Sequence, residues 1–294
     1  MSMTFTEFMT TRQLARLWKV SEATIKRWAD AGHLRPSRTL GGHRRFSLEE
    51  VARFQSERGL TQTAATKTAL GRVGGAAAPA WPTGGPVGEV TEAFYESLAA
   101  GREATATAVL LEAYLAGASV AELLDEVVAG ALRRVGDEWE AGRATVADEH
   151  LATRTATRAV ETLRGAVKRE GAARGLAVCC AAEEELHELA VLCAQTLLES
   201  EGWEVRNLGG NTPFFALCDA VERHRPRLVC VSSTTRGALA GAARDYAQCL
   251  AAARAGGARV VLGGAGFRGE GVREKFPADL HAESLSALLE FTRD

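Results

Sequence analysis

Apolar positions follow three different patterns along the chain, and each pattern predicts a different kind of structure. Before about residue 60 they lie at helical spacing in two short stretches. Between residues 89 and 170 they follow longer helical repeats that glycines interrupt. Beyond residue 172, short apolar runs alternate with helical patterns. We therefore expect a helical head, a helical middle region and a final α/β region.

The head has the pattern of a helix-turn-helix. Leu14 and Leu17 lie on one face of a first short helix, and Ser21 is a good N-cap for a second helix that contains Ile25 and ends near Gly32. Two such helices joined by a tight turn place the second helix in the major groove of DNA. The predicted DNA contacts of this helix are Ser21, Thr24, Lys26 and Arg27.

A basic hairpin is predicted after the second helix, in the segment H-L-R-P-S-R-T-L-G-G-H-R-R-F. Gly41 and Gly42 mark its turn, and Phe46 should anchor it to the core of the head. The segment resembles the wing of the winged-helix heads of MerR-family regulators. Its predicted DNA contacts are His43, Arg44 and Arg45, and we expect the arginines on the phosphate backbone or in the minor groove. A solvated basic turn is the alternative.

Two further regions precede the α/β part. Residues 60–88 are rich in Ala, Thr, Gly and Pro and have no apolar periodicity, which predicts a flexible linker. Residues 89–171 are rich in Ala and Leu with breaks at Gly101, Gly117 and Gly142, which predicts a four-helix bundle. The third helix should span 119–140. The fourth should begin at Thr145, where Asp148 three residues later gives a capping-box pattern.

Four strand-like runs, at 176–180, 204–208, 228–232 and 260–262, alternate with helical patterns in the last region. This alternation predicts a parallel, doubly wound, Rossmann-like sheet with its ligand at the carboxyl ends of the strands. The loops expected there contain Glu185 and His187, then residues 209–213, then Ser232 and Ser233, and finally Gly263 and Gly264. The predicted organisation is multidomain: a DNA-binding head at 1–59, a linker at 60–88, the bundle at 89–171 and the Rossmann-like domain at 172–294.

Composition and charge narrow the class of protein. The chain of 294 residues is 46% hydrophobic and 24% charged, as in ordinary folded domains. Through residue 60 it has eleven Lys and Arg against six Asp and Glu, and the remainder has 24 against 31, so only the head suits nucleic acid. No apolar run reaches membrane-spanning length. The six cysteines have no C-x-x-C spacing, which favours reduced thiols in a cytoplasm over disulfides or a zinc site.

Two histidines and a tryptophan indicate a flat ligand with a metal at its centre. Trp139 precedes the adjacent Glu149 and His150 by ten and eleven residues, at the junction of two predicted helices. Glu185 lies two residues before His187, where a strand gives way to a helix. Each has an ordinary interpretation alone: a packing tryptophan, a hydrogen-bonded histidine and a solvated helix start. The combination favours a site.

This combination resembles the CarH-type cobalamin-dependent photoreceptors, which are regulators with a MerR-type head. The resemblance covers nearly the whole chain in the same domain order. It implies that His187 is the lower axial ligand of cobalt and that Glu185 or the loop at Ser232 orients it. The displaced nucleotide tail would lie in a cleft lined by Ser232, Ser233, Gly263 and Gly264.

The same resemblance assigns the upper face of the cofactor to the bundle. Trp139 and Val146 would form apolar walls for the adenosyl group of adenosylcobalamin, and Glu149 would accept its hydrogen bonds. Light would break the cobalt–carbon bond, and His150 would take the vacated metal site. The implied protein is a repressor of light-protective genes. In the dark it would be an oligomer, expected to be a tetramer, on a double-stranded DNA operator, and light would release it.

Two departures from the cobalamin fingerprint leave alternatives open. Ala190 replaces the usual Gly, and Thr234 or Thr235 replaces a common Leu. With the neighbouring Cys179 and Cys180, they keep open a MerR-type regulator that senses cobalamin without light, or another tetrapyrrole. A cobalamin-dependent methyltransferase or mutase is disfavoured, because the chain shows no pattern of a methyl-donor barrel and such an enzyme has no use for the head.

Overall fold

The computed structural model of the protein describes residues 8–39, 41–58, 87–167, 173–235, 239 and 241–293. The chain divides into two compact units, residues 1–168 and 169–294. The predicted linker at 60–88 lies outside the described residues except for Val87 and Gly88, which begin a helix. None of the described helices is long and apolar enough to cross a membrane.

The head contains the two predicted helices of the helix-turn-helix, Thr11–Leu17 and Glu22–Asp30, and a third helix, Leu48–Arg58. The hydroxyl of Ser21 accepts the backbone N–H of Thr24 at 3.1 Å and caps the second helix as predicted. Three short strands, β1 (Phe8–Thr10), β2 (Ser37–Arg38) and β3 (Arg44–Ser47), form an antiparallel sheet in the order β1-β3-β2. Ile25 and Phe46 are completely buried, so the predicted anchor of the hairpin is confirmed.

Helical structure also fills the described part of the middle region. The segments are Val87–Ala99, Glu103–Ala116, the consecutive Val120–Glu122, Leu123–Val128 and Ala129–Glu140, and Val146–Ala166. The capping box at Thr145 is confirmed, because its hydroxyl accepts the Asp148 N–H at 3.2 Å and the Asp148 carboxylate accepts the Thr145 N–H at 2.8 Å. The third predicted helix contains a π-helical turn at Leu123–Val128, which its apolar pattern did not predict.

Glu103–Ala116 is the central helix of this unit. Its apolar residues are buried around the whole circumference of the helix, because neighbours cover it on several sides. It contacts Val87–Ala99 and Val146–Ala166, and the last helix of the head, Leu48–Arg58, contacts both Glu103–Ala116 and Val146–Ala166.

The second unit is a parallel five-stranded sheet with helices, as the alternating pattern predicts. Its strands are β4 (Gly175–Ala181), β5 (Trp203–Asn207), β6 (Leu228–Ser232), β7 (Arg259–Gly263) and β8 (Leu280–Ala282), in the order β5-β4-β6-β7-β8. The longer helices are Leu189–Ser200, Phe214–His224, Ala243–Ala255 and Leu285–Arg293. The short half-buried strand β8 was not predicted.

Helices cover the sheet on both faces. Phe214–His224 and Ala243–Ala255 pack on one face, in a cluster that includes Phe214 and Tyr246. Leu189–Ser200 contacts β4, β5 and β6 and contributes nothing to that cluster, so it covers the opposite face. The strand order reverses between β4 and β6, and sheets of this order bind ligands at the carboxyl ends of the strands beside such a reversal. The loops after β4 and β6 therefore flank the expected crevice.

Candidate functional site

Glu185 connects the two loops that flank this crevice. One carboxylate oxygen accepts the backbone N–H of His187 at 2.9 Å and contacts its Nδ1 at 2.5 Å. The other oxygen accepts the backbone N–H groups of Thr234 and Thr235, the latter at 3.1 Å. Four hydrogen bonds therefore satisfy a carboxylate that is only 1% exposed.

These hydrogen bonds also set the charge of Glu185. Burial works to raise the pKa of this carboxyl, but the hydrogen bonds from His187, Thr234 and Thr235 outweigh it and hold the pKa below its ordinary value. An ionised carboxylate accepts hydrogen bonds and donates none, so Nδ1 of His187 must carry the hydrogen of their contact. This tautomer leaves a lone pair on Nε2, the atom that ligates metals in such carboxylate–histidine pairs.

His187 is available to a ligand. Its side chain is 55% exposed, and the described residues give its Nε2 no hydrogen-bond partner. Among those residues no group of three or more His, Cys, Asp or Glu side chains is arranged to hold a metal ion by itself. An exposed imidazole nitrogen of this kind can donate one bond to a metal ion.

The loop after β5 is hydrogen-bonded to the loop that contains Glu185 and His187. The backbone N–H of Asn211 donates to the carbonyl of Glu185 at 2.7 Å, and the side-chain oxygen of Asn211 accepts the N–H of Glu184 at 2.9 Å. Three loops thus meet around His187. The sequence predicted the loop at residues 209–213 at this end of the sheet but not the contacts of Asn211, because nothing in the sequence indicates which loop residue reaches the segment after β4.

Ser233 and Gly264 shape the loop after β6. Ser233 is completely buried, and its hydroxyl donates to the carbonyl of Thr235 at 3.0 Å. A Cβ at Gly264, where φ is +94°, would overlap the carbonyl of Ser233, whereas one at Gly263 would meet only ordinary contacts at 3.7 Å or more. Ser232 is half-buried. Ser233 and Gly264 therefore have structural reasons for their identity in addition to the predicted cofactor role.

Two observations concern the departures from the fingerprint. Ala190 lies in the first turn of Leu189–Ser200 and is exposed. Cys179 is paired with Cys230 on the neighbouring strand, and their hydrogen bond together with burial raises the pKa of the Cys179 thiol well above its ordinary value. Burial likewise raises the pKa of the Cys180 thiol. Both thiols are therefore protonated packing groups rather than reactive or metal-binding ones.

Exposed apolar side chains lie close in sequence to these loops. Leu186 precedes His187, Leu208 follows β5, and Phe215 lies in the first turn of Phe214–His224. Sequence reasoning missed all three, although their position after the strands was available as a signal.

The predicted residues of the first unit form a second partly apolar surface. Trp139 is 47% exposed at the end of Ala129–Glu140, and Val146 is 54% exposed at the start of the next helix. Glu149 is half-buried and accepts the hydroxyl of Thr153 at 2.7 Å. The imidazole of His150 is 74% exposed, and its Nε2 lies 3.7 Å from the Glu149 carboxylate. Two apolar groups, an acceptor and an exposed imidazole thus lie at the end of one helix and the start of the next.

In the head, the predicted contacts of the second helix differ in exposure. Ser21, Lys26 and Arg27 are exposed, whereas Thr24 is half-buried with its hydroxyl 3.0 Å from that of Ser21. In the hairpin, His43 is exposed and Arg44 and Arg45 are half-buried. Arg44 forms an ion pair with Asp30 at 2.5 Å.

Three protein-family models match separate parts of the chain. A family described as a helix-turn-helix domain matches residues 8–59. Two families described as B12 binding domains match residues 90–164 and 175–285. The helical region and the α/β unit therefore both resemble parts of cobalamin-binding proteins.

Two curated relatives match over most of their length. The HTH-type transcriptional repressor CarA of Myxococcus xanthus is 30% identical over 268 residues, which cover 87% of this chain and 86% of CarA. The HTH-type transcriptional repressor CarH of the same organism is 29% identical over 276 residues, which cover 86% of this chain and 88% of CarH. A solved monomethylamine corrinoid protein of Methanosarcina barkeri is 18% identical with a TM-score of 0.61, over 70% of this chain and 98% of that protein. This last likeness concerns the fold alone.

Proposed function

The chain belongs to the family of the transcriptional repressors CarH and CarA, and from this premise we propose that it represses transcription in the dark with adenosylcobalamin bound and releases DNA in the light. The resemblance drawn from the sequence is thus confirmed at the level of the family. The relatives are repressors rather than enzymes, which gives no support to the methyltransferase alternative.

The observation that carries the proposal is the contact between Glu185 and His187. A neutral imidazole whose second nitrogen is fixed by a carboxylate is a suitable axial donor for cobalt. When bound, adenosylcobalamin supplies that cobalt and a cobalt–carbon bond that visible light breaks. We assign His187 to its lower face and Glu185 to the orientation of His187. The surface for the nucleotide tail is proposed to consist of Ser232, Ser233, Gly263 and Gly264.

The helical region is proposed to act as a four-helix bundle that covers the upper face. Trp139 and Val146 expose apolar surface of the kind that a purine or ribose carbon packs against. Glu149 is proposed to accept a hydrogen bond from the same group. His150 is a second exposed imidazole that would be available to the cobalt of a bound cofactor after loss of the adenosyl group.

The head is proposed to be a winged helix-turn-helix that reads a double-stranded operator. The hairpin of β2 and β3 follows the second helix directly and has the position of a wing. The exposed Lys26 and Arg27 suit the major groove, and His43 and Arg45 suit the adjacent backbone. An oligomer, expected to be a tetramer, would place several heads on one operator. Binding of one head would raise the effective concentration of the others at the DNA, and the overall affinity would increase.

Absorption spectroscopy and size-exclusion chromatography of the full chain test this function. The protein is loaded with adenosylcobalamin in the dark, and its spectrum and elution volume are recorded before and after illumination. We expect both to change. His187→Ala should lower cobalamin affinity by at least about tenfold, with His224→Ala, at a half-buried histidine of the same unit, as the control.

Two results would contradict parts of the proposal. Unchanged affinity and spectrum in His187→Ala would remove the assigned ligand. A wild-type protein that binds cobalamin and keeps one elution volume in dark and light would be the light-independent sensor that the sequence left open. Binding of a different tetrapyrrole in preference to cobalamin would identify the other alternative.

A further inference from the structure

We propose that Arg44 positions the hairpin on the helix Glu22–Asp30, with Asp30 as its partner, and that it does not act as a phosphate contact. This inference rests on the proposed DNA binding of the head and goes beyond it. In this proposal Arg44 maintains the arrangement of the head, whereas the other predicted basic contacts face DNA.

The contacts of Arg44 all lead to one helix. Its Nη2 lies 2.5 Å from the carboxylate of Asp30, and its Nη1 donates to the backbone carbonyl of Lys26 at 3.2 Å. The side chain is only 17% exposed. A guanidinium with its donors in a fixed plane is well suited to hold two acceptors one turn apart. Arg44 is the first residue of β3, and its side chain therefore connects this strand to the last turn of the helix.

Alternation along β3 separates Arg44 from Arg45. Side chains of successive strand residues point to opposite faces, so Arg44 shares a face with Phe46, which is completely buried. Arg45 points to the other face, and the described residues give its side chain no ion pair or hydrogen bond. The two neighbouring arginines are thus differently placed, one turned toward the core of the head and the other away from it.

The position of Asp30 supports a role in pairing. It is the last residue of the helix Glu22–Asp30, where the negative end of the helix dipole disfavours a carboxylate. Its side chain is largely exposed, so burial does not require it there. A nearby cation offsets the unfavourable dipole, and Arg44 is the cation that the structure places on it.

A second set of contacts holds the connection between the helix and the hairpin. Arg53 donates to the carbonyl of His33 at 3.1 Å and forms an ion pair with Glu50 at 2.5 Å. The carboxylate of Glu50 also accepts the backbone N–H of Arg35 at 2.6 Å. The segment that leads from the helix to β2 is therefore fixed on Leu48–Arg58. The Arg44–Asp30 ion pair fixes the far strand of the same hairpin.

The contacts of Arg44 keep the hairpin at a fixed distance from the helix Glu22–Asp30, and both elements are proposed to contact DNA. A protein that reads a groove with a helix and the backbone with a hairpin gains specificity only if the two keep one arrangement. Loss of the ion pair should therefore reduce binding to the preferred sequence more than binding to unrelated DNA. It should leave the salt dependence nearly unchanged, because no phosphate contact is lost.

The experiment uses the full chain with adenosylcobalamin in the dark. Wild-type protein selects its preferred duplex from a random pool, and an unrelated duplex of equal length serves as the reference. Affinities for both are measured at several salt concentrations. The variants are Arg44→Ala, Asp30→Asn, their combination and the exchange of charges in Asp30→Arg with Arg44→Asp. Arg45→Ala, on the opposite face of the same strand, is the matched control.

We expect Arg44→Ala and Asp30→Asn each to weaken binding to the selected duplex by about threefold to fivefold, the upper range for an ion pair whose carboxylate is largely exposed. The combined variant should be no worse than either one, and the exchange should recover most of the affinity. The slope of affinity against salt should stay as in wild type. Arg45→Ala should weaken both duplexes alike and reduce that slope by about one.

The proposal is overturned if Arg44→Ala reduces the salt slope by about one, or if Asp30→Asn binds the selected duplex as tightly as wild type or more tightly. Asp30→Asn keeps the size of an exposed side chain, so it tests the proposal even if Arg44→Ala fails to fold. If wild type selects no duplex at all, the proposed DNA binding itself is wrong. That outcome is distinct from a wrong role for Arg44.

Discussion

The carboxylate of Glu185 contacts Nδ1 of His187 at 2.5 Å and at the same time accepts two backbone N–H groups of the loop after β6. One buried side chain therefore determines both the tautomer of an exposed imidazole and the spacing of two loops. Sequence proximity explains the first contact, whereas the second joins residues 49 positions apart. Glu185 is accordingly as important to the proposed site as the histidine it holds.

Glu185→Gln should lower adenosylcobalamin affinity by about tenfold to a hundredfold while His187 remains in place. The amide can accept hydrogen bonds at only one of its two positions, so either His187 or the N–H groups of Thr234 and Thr235 lose their acceptor. Equilibrium titration followed by visible absorption measures the effect. Glu184→Gln, at the exposed neighbouring acid, is the control. Equal affinities for the two variants would contradict the orienting role.

Local features of the fold were predictable because their causes lie within a few residues. The caps at Ser21 and Thr145 depend on a side chain and an N–H three residues away, so the sequence shows both partners. The strand β8 has only three half-buried residues and no alternating pattern, and it forms because β7 provides a partner. The π-helical turn at Leu123–Val128 likewise leaves no mark in the sequence, because apolar pairs on either side of Asp125 and Glu126 fit an α-helix equally well.

The site was predictable in its residue types and not in its contacts. An acid two residues before a histidine after a strand identified Glu185 and His187. The acceptor role of Glu185 toward Thr234 depends on the parallel pairing of β4 and β6, which brings distant loops together. For the same reason the sequence did not distinguish Arg44 from Arg45, since the partner of Arg44 lies 14 residues earlier on another element.

Gly264→Ala should destabilise the α/β unit by about 2 to 3 kcal/mol, because a Cβ would overlap the carbonyl of Ser233 and φ is unfavourable for other residues. Gly263→Ala, one residue earlier, should change stability by less than about 1 kcal/mol, since its nearest new contact is at 3.7 Å. Urea unfolding without cobalamin, followed by circular dichroism, measures both. Equal losses would show that the close approach to Ser233 is absent in solution.

The stability of the head should decrease in acid through Glu50. Burial works to raise the pKa of this carboxyl, but the hydrogen bonds from Arg53 and from the N–H of Arg35 outweigh it and lower the pKa from 4.5. A carboxyl with a lowered pKa in the folded state contributes stability above pH 4.5, and the contribution is lost as the pH falls through the lowered value. Glu50→Gln should therefore cost about 1 kcal/mol at pH 7 and progressively less in acid.

Urea unfolding of wild type and Glu50→Gln at pH 7 and in steps below pH 4.5 measures this difference. The exposed neighbour Glu49 supplies the control Glu49→Gln, which removes a charge from the same helix turn without touching Arg53. A difference between Glu50→Gln and wild type that stays constant with pH would show that the ion pair is not formed in solution.

Trp139→Ala should weaken assembly and DNA binding already in the dark. The side chain is 47% exposed and so contributes little to the core of its own unit, but it forms an apolar wall in the proposed adenosyl pocket. Thermal unfolding without cofactor should therefore change little, whereas the dark oligomer should dissociate at higher protein concentration than wild type. Size-exclusion chromatography across a concentration series measures this. A large loss of thermal stability without cofactor would indicate a packing role instead.

His150→Ala should separate the dark state from the illuminated one. The imidazole is 74% exposed and 3.7 Å from Glu149, so its removal should leave folding, dark assembly and dark DNA binding close to wild type. Illumination should still dissociate the oligomer, because departure of the adenosyl group does not depend on this residue. The illuminated variant should lose cobalamin to a desalting column more readily than wild type, and its visible spectrum should differ. His224→Ala, at a half-buried histidine of the α/β unit, should behave as wild type in every step. If illuminated His150→Ala keeps both the wild-type spectrum and its bound cobalamin, His150 is not the second imidazole.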